Sequence, residues 1–322
     1  MPRSGSRLLF ILLAFAGVIV LSLSYKATWH LTATGLNDFP AFYFAPQLMA
    51  EHALYDPAAM SAKQTSTLGA SNVNIQFIRL PYLAAALWPF RLLPYRPAYA
   101  LWQFCCLGAM FGFVLLWPAK RVVTLLLSCW FPPAAASFAN GQDVPFLLLW
   151  AAVAAYLMHK RKDFSAGLVL SLCAAKFHFL LFVPVLVIAA RLWRLAFGMS
   201  VGCSVLVAVS FLAGGIDWPA QLYRALANPS VHPSLRGSLL VNLESLGIHG
   251  AALGVLVALI ALTGAAAVWF CARHTDFPLA LGVALGAGTL TGFHVYLQDY
   301  LLWLPFLALV LTRMAPSPGP EG

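Results

Sequence analysis

Asp38 opens the stretch Asn37-Asp38-Phe39-Pro40-Ala41-Phe42-Tyr43-Phe44, just behind the first long apolar run of the chain. Asp and Glu together number only ten in 322 residues, so a carboxylate next to a membrane span is conspicuous. Two roles fit it. It is either a base working at a membrane surface or the cap of a helix that begins near Pro40. The polar residues that could work with it are Arg79, Gln142, Asp143, Lys176, His178, Arg236, His294 and Asp299, with Asp56 closing the same loop. One carboxylate and several cations suit a particular kind of group transfer. A sugar leaving a lipid phosphate already has a good leaving group and needs no general acid, unlike the two-carboxylate arrangement of glycoside hydrolysis. A single base can deprotonate the acceptor hydroxyl, while cations hold the phosphate and the charge it gains.

Each of these residues also has a purely structural reading. Asp56 in Tyr55-Asp56-Pro57 reads as a turn residue. Lys176 is either a phosphate ligand or a snorkelling lysine at a helix end. Arg79 grips either a donor phosphate or a bilayer headgroup. His178 and Gln142 also fit as satisfied core groups, and His294 and Asp299 either pair across a helical turn or line an acceptor site. Asp217 and Glu244 read as part of a solvated loop surface.

Other chemistries lack their motifs. There is no Walker A loop, GxSxG, HExxH or Rossmann fingerprint in context. No Asp-x-Asp is present, which favours a lipid-linked donor over a nucleotide sugar and leads us to expect neither a metal nor a cofactor. The six cysteines all fall in apolar segments without zinc spacing and read as small core residues. The net charge of +9 has no Lys/Arg run with interleaved aromatics, so nucleic acid is not an expected partner.

Hydrophobic residues make up 61% of the chain and charged residues 9%, against roughly 25% charged in a soluble domain. The mean hydropathy is +0.84. These values predict an all-α polytopic membrane bundle, one integral membrane unit over 1–314 with a disordered tail at 315–322. Arg3 and Arg7 precede the apolar run Leu8 to Leu23, which predicts a retained first helix with a cytoplasmic N-terminus. Residues 26–76 form the longest polar stretch and should lie outside, with an interfacial helix from Pro40 to His52 whose apolar side is Phe39, Phe42, Leu48 and Met49. Apolar segments follow near 77–93, 97–118, 121–139, 143–158, 164–190, 195–214, 249–271, 277–292 and 296–312.

The basic loop His159-Lys160-Arg161-Lys162, with Arg191, Arg194 and Arg273, marks the cytoplasmic side. Parity then requires that one of the three segments between 77 and 139 does not fully cross, and prolines 81, 89, 94, 132 and 133 favour a broken or re-entrant helix there. The segment 164–190 reads as two short helices interrupted at Lys176-Phe177-His178. The loop 215–248 faces outside. This topology gathers Asp38, Asp56, Arg79, Gln142, Asp143, Lys176, His178, Arg236, His294 and Asp299 on one side, and it is built only from Lys and Arg of other loops.

The ordered set resembles glycosyltransferase family 87. The resemblance lies in the early Asp38 followed by a Tyr-containing helix, the Leu54-Tyr55-Asp56 end, and the aromatic-proline entry Phe77-Ile78-Arg79-Leu80-Pro81-Tyr82. It continues in the turn Asn140-Gly141-Gln142-Asp143, the helix from Ala166-Gly167-Leu168 to Lys176, and the cluster His294, Tyr296, Asp299, Tyr300. The chain has Lys176-Phe177 where Lys-Pro is common in the family. The resemblance implies a GT-C fold in the inner (plasma) membrane with its site at the outer face, and membrane lipids around it. It implies a polyprenyl-phosphate sugar donor, commonly mannose, a glycolipid or glycan acceptor, and inverting transfer with Asp38 as base. Arg79, Lys176 and His178 would then hold the donor phosphate, and Tyr43, Gln142, His294 and Asp299 the sugar or acceptor. A lipid or small-molecule transporter is the alternative. It requires paired broken helices in two related halves, and no internal repeat is visible. A non-catalytic relative is a third reading, under which Asp38 is replaceable.

Overall fold

The computed structural model describes residues 12, 13, 15–17, 19, 26, 37–69, 75–227, 238–292 and 294–314. Much of the expected first span, Arg236 and the tail 315–322 lie outside these. Among the described residues every regular element is helical. Among the described residues four helices are long and apolar enough to cross a membrane: Tyr95–Leu116, Asp163–Leu180, Trp193–Gly214 and Gly250–His274. A fifth crossing is available if Arg121–Trp130 and Pro132–Ala139, bent by 62°, act as one. The chain is an all-α integral membrane bundle.

In two of the expected segments that fail to become single spans, proline is the reason. The stretch near 77–93 does not cross. It is the short helix α3 (Pro81–Ala86) and a 3-10 turn (Trp88–Leu92), each with proline in its first turn. It follows α1 (Phe39–Ala50) and α2 (Pro57–Leu68), and precedes the long α4 (Tyr95–Leu116). At 121–139, α5 (Arg121–Trp130) ends at Phe131, and Pro132 and Pro133 start α6 (Pro132–Ala139) on a new axis. After α7 (Val144–His159) the expected pair of helices at 164–190 is three pieces. They are α8 (Asp163–Ser171), a 3-10 helix (Leu172–Leu180) broken at Lys176 (φ −125°, ψ 67°), and α9 (Val183–Ala190).

The helix expected along the interface is enclosed by protein. α1 is buried on all sides from Phe39 to Pro46 and again at Leu48, so protein covers the side expected to be its apolar interfacial face. Its aromatic rings find partners all round. Phe39 packs against Tyr95, Tyr99 and Trp102 of α4, and Phe42 packs edge-on against Phe77. Rings of this size remove a large apolar area from solvent, which outweighs the weak one-sidedness of the sequence.

Small residues set the closest crossing. α8 lies against α10 (Trp193–Gly214), where a Cβ on Gly167 would sit 2.1 Å from the Leu195 carbonyl oxygen and one on Gly198 2.1 Å from that of Phe164. Helices in lipid gain stability from such backbone contact because no hydrophobic difference drives them together. The remainder comprises α11 (Trp218–Ala227), α12 (Leu239–Ser245), α13 (Gly250–His274), α14 (Phe277–Thr291), a 3-10 helix (Leu297–Trp303) and α15 (Leu304–Met314).

Two ends of the bundle differ in chemistry. α7 runs 16 residues, about 24 Å, from the turn 140–143 to the basic loop at His159-Lys160. α8 returns from Asp163 toward Lys176, and α14 runs from Asp276 toward Gly292. The basic loops therefore lie at one end of these three helices, and the turn 140–143, Lys176 and the segment after Gly292 lie at the other.

Candidate active site

The turn 140–143 is built by α4 and by its own glycine. Trp102 Nε1 donates to the Gly141 carbonyl (2.8 Å) and Gln103 Nε2 to that of Phe138 (2.9 Å), two bonds from adjacent positions of one helix. Gly141 has φ +62°, a left-handed conformation that a side chain resists, and its Cβ would press on Phe39 at 3.0 Å. The Asp38 N–H donates to the Asn140 carbonyl at 3.0 Å, which ties the start of α1 to this turn.

The two readings of Asp38 separate here. Asp38 occupies the N-cap position of α1, but its side chain makes no cap bond. Asn37 does that work instead, its Oδ1 accepting from the Phe39 N–H at 2.9 Å. The Asp38 carboxylate accepts a hydrogen bond from Gln142 Nε2 and lines a cavity of about 440 Å³, a volume typical of small-ligand pockets. Asp56, by contrast, caps α2 by accepting from the Ala58 and Ala59 N–H groups.

Behind this cavity runs a chain of buried charges. Arg79 pairs with Asp143 through Nε (3.2 Å) and Nη2 (3.5 Å). Lys176 Nζ lies 2.5 Å from Asp299, 3.4 Å from Asp143 and 3.1 Å from Gln142 Oε1. Burial alone would raise the Asp143 carboxyl, but Arg79 and Lys176 hold it down at about 2. Burial likewise opposes the Arg79 charge, and Asp143 with Asp299 and Asp38 more than restores it. Two cations thus face three carboxylates, counting Asp38. Lys176 has three N–H donors and three protein acceptors. Arg79 keeps donors to spare, since a guanidinium has five.

The structure brings Asp38, Arg79, Gln142, Lys176, His178, His294 and Asp299 into the lining of the one cavity. Tyr43 is not among them. It donates to the Leu93 carbonyl (2.8 Å) and packs among Phe44 and Tyr95, away from the cavity. Helical geometry explains this: Ala41 and Phe42, three and four residues after Asp38, share its face, whereas Tyr43 is rotated off it. Asp299 gives its carboxylate to Lys176 and to the Tyr296 N–H at 2.9 Å.

Three residues carry more than the sequence assigned. Asp143 stands behind the cavity wall as counter-ion to both cations. Asn140 and Gln298 line the cavity and bond each other at 3.1 Å. The scarcity of carboxylates already pointed to Asp143. The amides carry no such signal. Among the described residues no three His, Cys, Asp or Glu side chains gather as a metal-binding group.

The family model of glycosyltransferase family 87 matches residues 77–295, roughly two thirds of the chain. The chain belongs to glycosyltransferase family 87. No curated protein and no solved structure matches it. In this family 87 protein the matched region contains Arg79, Gln142, Lys176, His178 and His294, while Asp38 precedes it and Asp299 follows it. The fold returns both carboxylates to the cavity that the matched residues line. The protein is a membrane glycosyltransferase by family, with a sugar donor and a glycan or lipid acceptor as its substrates.

Proposed function

We propose that this family 87 protein transfers a sugar, mannose in our reading, from a polyprenyl phosphate to an acceptor hydroxyl, with inversion and with Asp38 as the base. The observation that supports this most directly is the Asp38 carboxylate turned from its helix cap into a cavity that it shares with Arg79. In the proposed step Asp38 takes the acceptor O–H proton, and the acceptor oxygen forms a bond to the anomeric carbon. The bond from that carbon to the phosphate oxygen breaks, and polyprenyl phosphate leaves with the electron pair. Arg79 stabilises the charge the phosphate gains. A phosphate reaching Lys176 has to displace one of its three partners, so Arg79 leads in phosphate contact and Lys176 and His178 follow. His294 and Asp299 shape the sugar and acceptor end.

The same reading supplies orientation. Positively charged loops stay in the cytoplasm, so the cavity at the opposite end of α7, α8 and α14 faces outward, the N-terminus lies inside, and the membrane is the inner one. The bundle is then of GT-C type and needs no metal or cofactor.

The test is transfer from radiolabelled polyprenyl-phosphate mannose in membranes, comparing wild type with Asp38→Asn. Loss of a general base costs about 10²- to 10⁴-fold, so we expect transfer in wild type and near-complete loss in the variant. Equal transfer by both would remove Asp38 as base. Translocation of lipid without sugar transfer would replace this reading with the transporter.

A further inference from the structure

The amide of Gln142 has both ends engaged inside the protein. Its Nε2 donates to Asp38 Oδ2, and its Oε1 accepts from Lys176 Nζ at 3.1 Å. Chemistry dictates which end faces which partner. A lysine ammonium has donors only, so the amide oxygen has to face Lys176. The NH₂ group is thereby turned on Asp38, where only an acceptor completes the bond. Gln142 is 5% exposed and Lys176 3%, and each is held by protein partners. Lys176 is itself pinned by Asp299 and Asp143. The amide cannot flip without setting NH₂ against NH₃⁺ and carbonyl against carboxylate.

We infer that Gln142 is a positioning residue that holds Asp38 as an ionised, oriented base, and is not a contact to the sugar. This rests on the reading of Asp38 as the base. A hydrogen bond given to the charged form of a carboxyl favours that form. The charge on Lys176 orients the amide, and the amide passes that orientation on to Asp38. The other ionisable groups that share the cavity with Asp38 are Arg79 from the segment before α3, His178 from the 3-10 helix at 172–180, and His294 and Asp299 from the segment after α14. Asp143 lies behind them on the 140–143 turn. Asp143 and Asp299 share Lys176 with Gln142, so the Asp38 carboxyl has to be followed separately from theirs.

Two variants and two readouts test the assignment. Gln142→Met keeps the length and removes both bonds. Gln142→Glu sets a second carboxyl against Asp38, so that the pair shares a proton and one of its titrations moves up. With polyprenyl-phosphate mannose as the probe, Gln142→Met should lower kcat by about 10- to 100-fold, the factor expected for losing a hydrogen bond to a charged group, with donor KM little changed. Gln142→Glu should move the acid limb of the kcat profile to higher pH. The second readout is independent of turnover. Infrared difference spectra over a pH titration, with Asp38→Asn identifying the Asp38 carboxyl band, should show Asp38 titrating at higher pH in both variants. An unchanged Asp38 titration overturns the inference, as does a raised KM with kcat retained, which is the mark of a sugar contact. A shifted titration together with full transfer by Asp38→Asn keeps the inference about Gln142 orienting Asp38 and removes only the role of Asp38 as base.

Discussion

α13 and the segments around the cavity stand at opposite extremes of the same bundle. α13 is an uninterrupted helix of 25 residues, the most hydropathic of the spans, and only 6% of its apolar window is buried in the protein. Its side chains at Val255, Leu259, Leu262 and Phe270 point outward. Apart from the first turn of α1, the cavity is lined from places where the helical ladder is broken: the approach to α3, the turn 140–143, the kinked 3-10 helix at Lys176, and the stretch from His294 into the 3-10 helix at 297–303. At membrane depth, irregular backbone is tolerated only where it is buried in protein or lines a wet cavity. The regular helix turns its side chains outward and contributes none of the candidate chemistry. The broken segments carry it because their freed backbone and buried charges have partners there.

The contrast is broken most severely at Asp143. Asp143→Asn leaves Arg79 with a neutral partner and Lys176 with one fewer carboxylate, both deep in the protein. Removing one member of a buried ion pair costs about 3–5 kcal/mol, and thermal unfolding in detergent should show it. The pH dependence gives a separate signature. The folded carboxyl titrates at about 2, below its ordinary 3.8. A depressed value adds stability that is fully present above about pH 4 and is lost as pH falls through about 2. The wild type should therefore lose stability over that window on acidification, and Asp143→Asn should show a flatter profile there. A variant with wild-type stability would mean that Arg79 has a second counter-ion of equal quality.

A smaller break is available at Gly288. A Cβ at this position of α14 would come within 2.6 Å of the Phe179 carbonyl oxygen. Backbone cannot yield as a side-chain tip does, so α14 has to shift away from the 3-10 helix that carries Lys176 and His178. We expect Gly288→Ala to cost about 1–3 kcal/mol, as overpacking does, and to reduce transfer beyond its effect on the amount of folded protein. Unchanged turnover per folded molecule would show that the position of the 3-10 helix does not depend on this contact.

The sequence was legible where composition is extreme and obscure where partners decide. Ten carboxylates in an oily chain made Asp38, Asp143 and Asp299 visible, and the lysine within the apolar 164–190 run marked a candidate position because such a charge is costly in a membrane. Prolines foretold the breaks near 81–94 and at 132–133. The burial of α1 was hidden, because Phe39 and Phe42 announce an apolar face without saying whether lipid or Tyr99 and Trp102 will cover it. Tyr43 was assigned by its place in a motif, and its rotation off the Asp38 face shows that a helix sorts neighbours three and four apart, not five. The division of labour between Asn37 and Asp38 was equally hidden, since both residue types cap helices and only the backbone angles choose between them.

Leu259 on α13 sharpens the comparison from the other side. It is 54% exposed on the outward face, and in a bilayer that face meets acyl chains as apolar as leucine itself. Leu259→Ala therefore opens no cavity, because lipid fills the space, and it strands no polar group. We expect a change within about 0.5 kcal/mol and transfer indistinguishable from wild type. If the variant instead lost about 2 kcal/mol, the size of a buried Leu→Ala change, α13 would be covered by protein, and a second copy of the chain would be the first cover to look for by cross-linking. A null result at Leu259 beside a large one at Asp143 would place stability and chemistry together in the interrupted half of the bundle, where the buried charges hold one another.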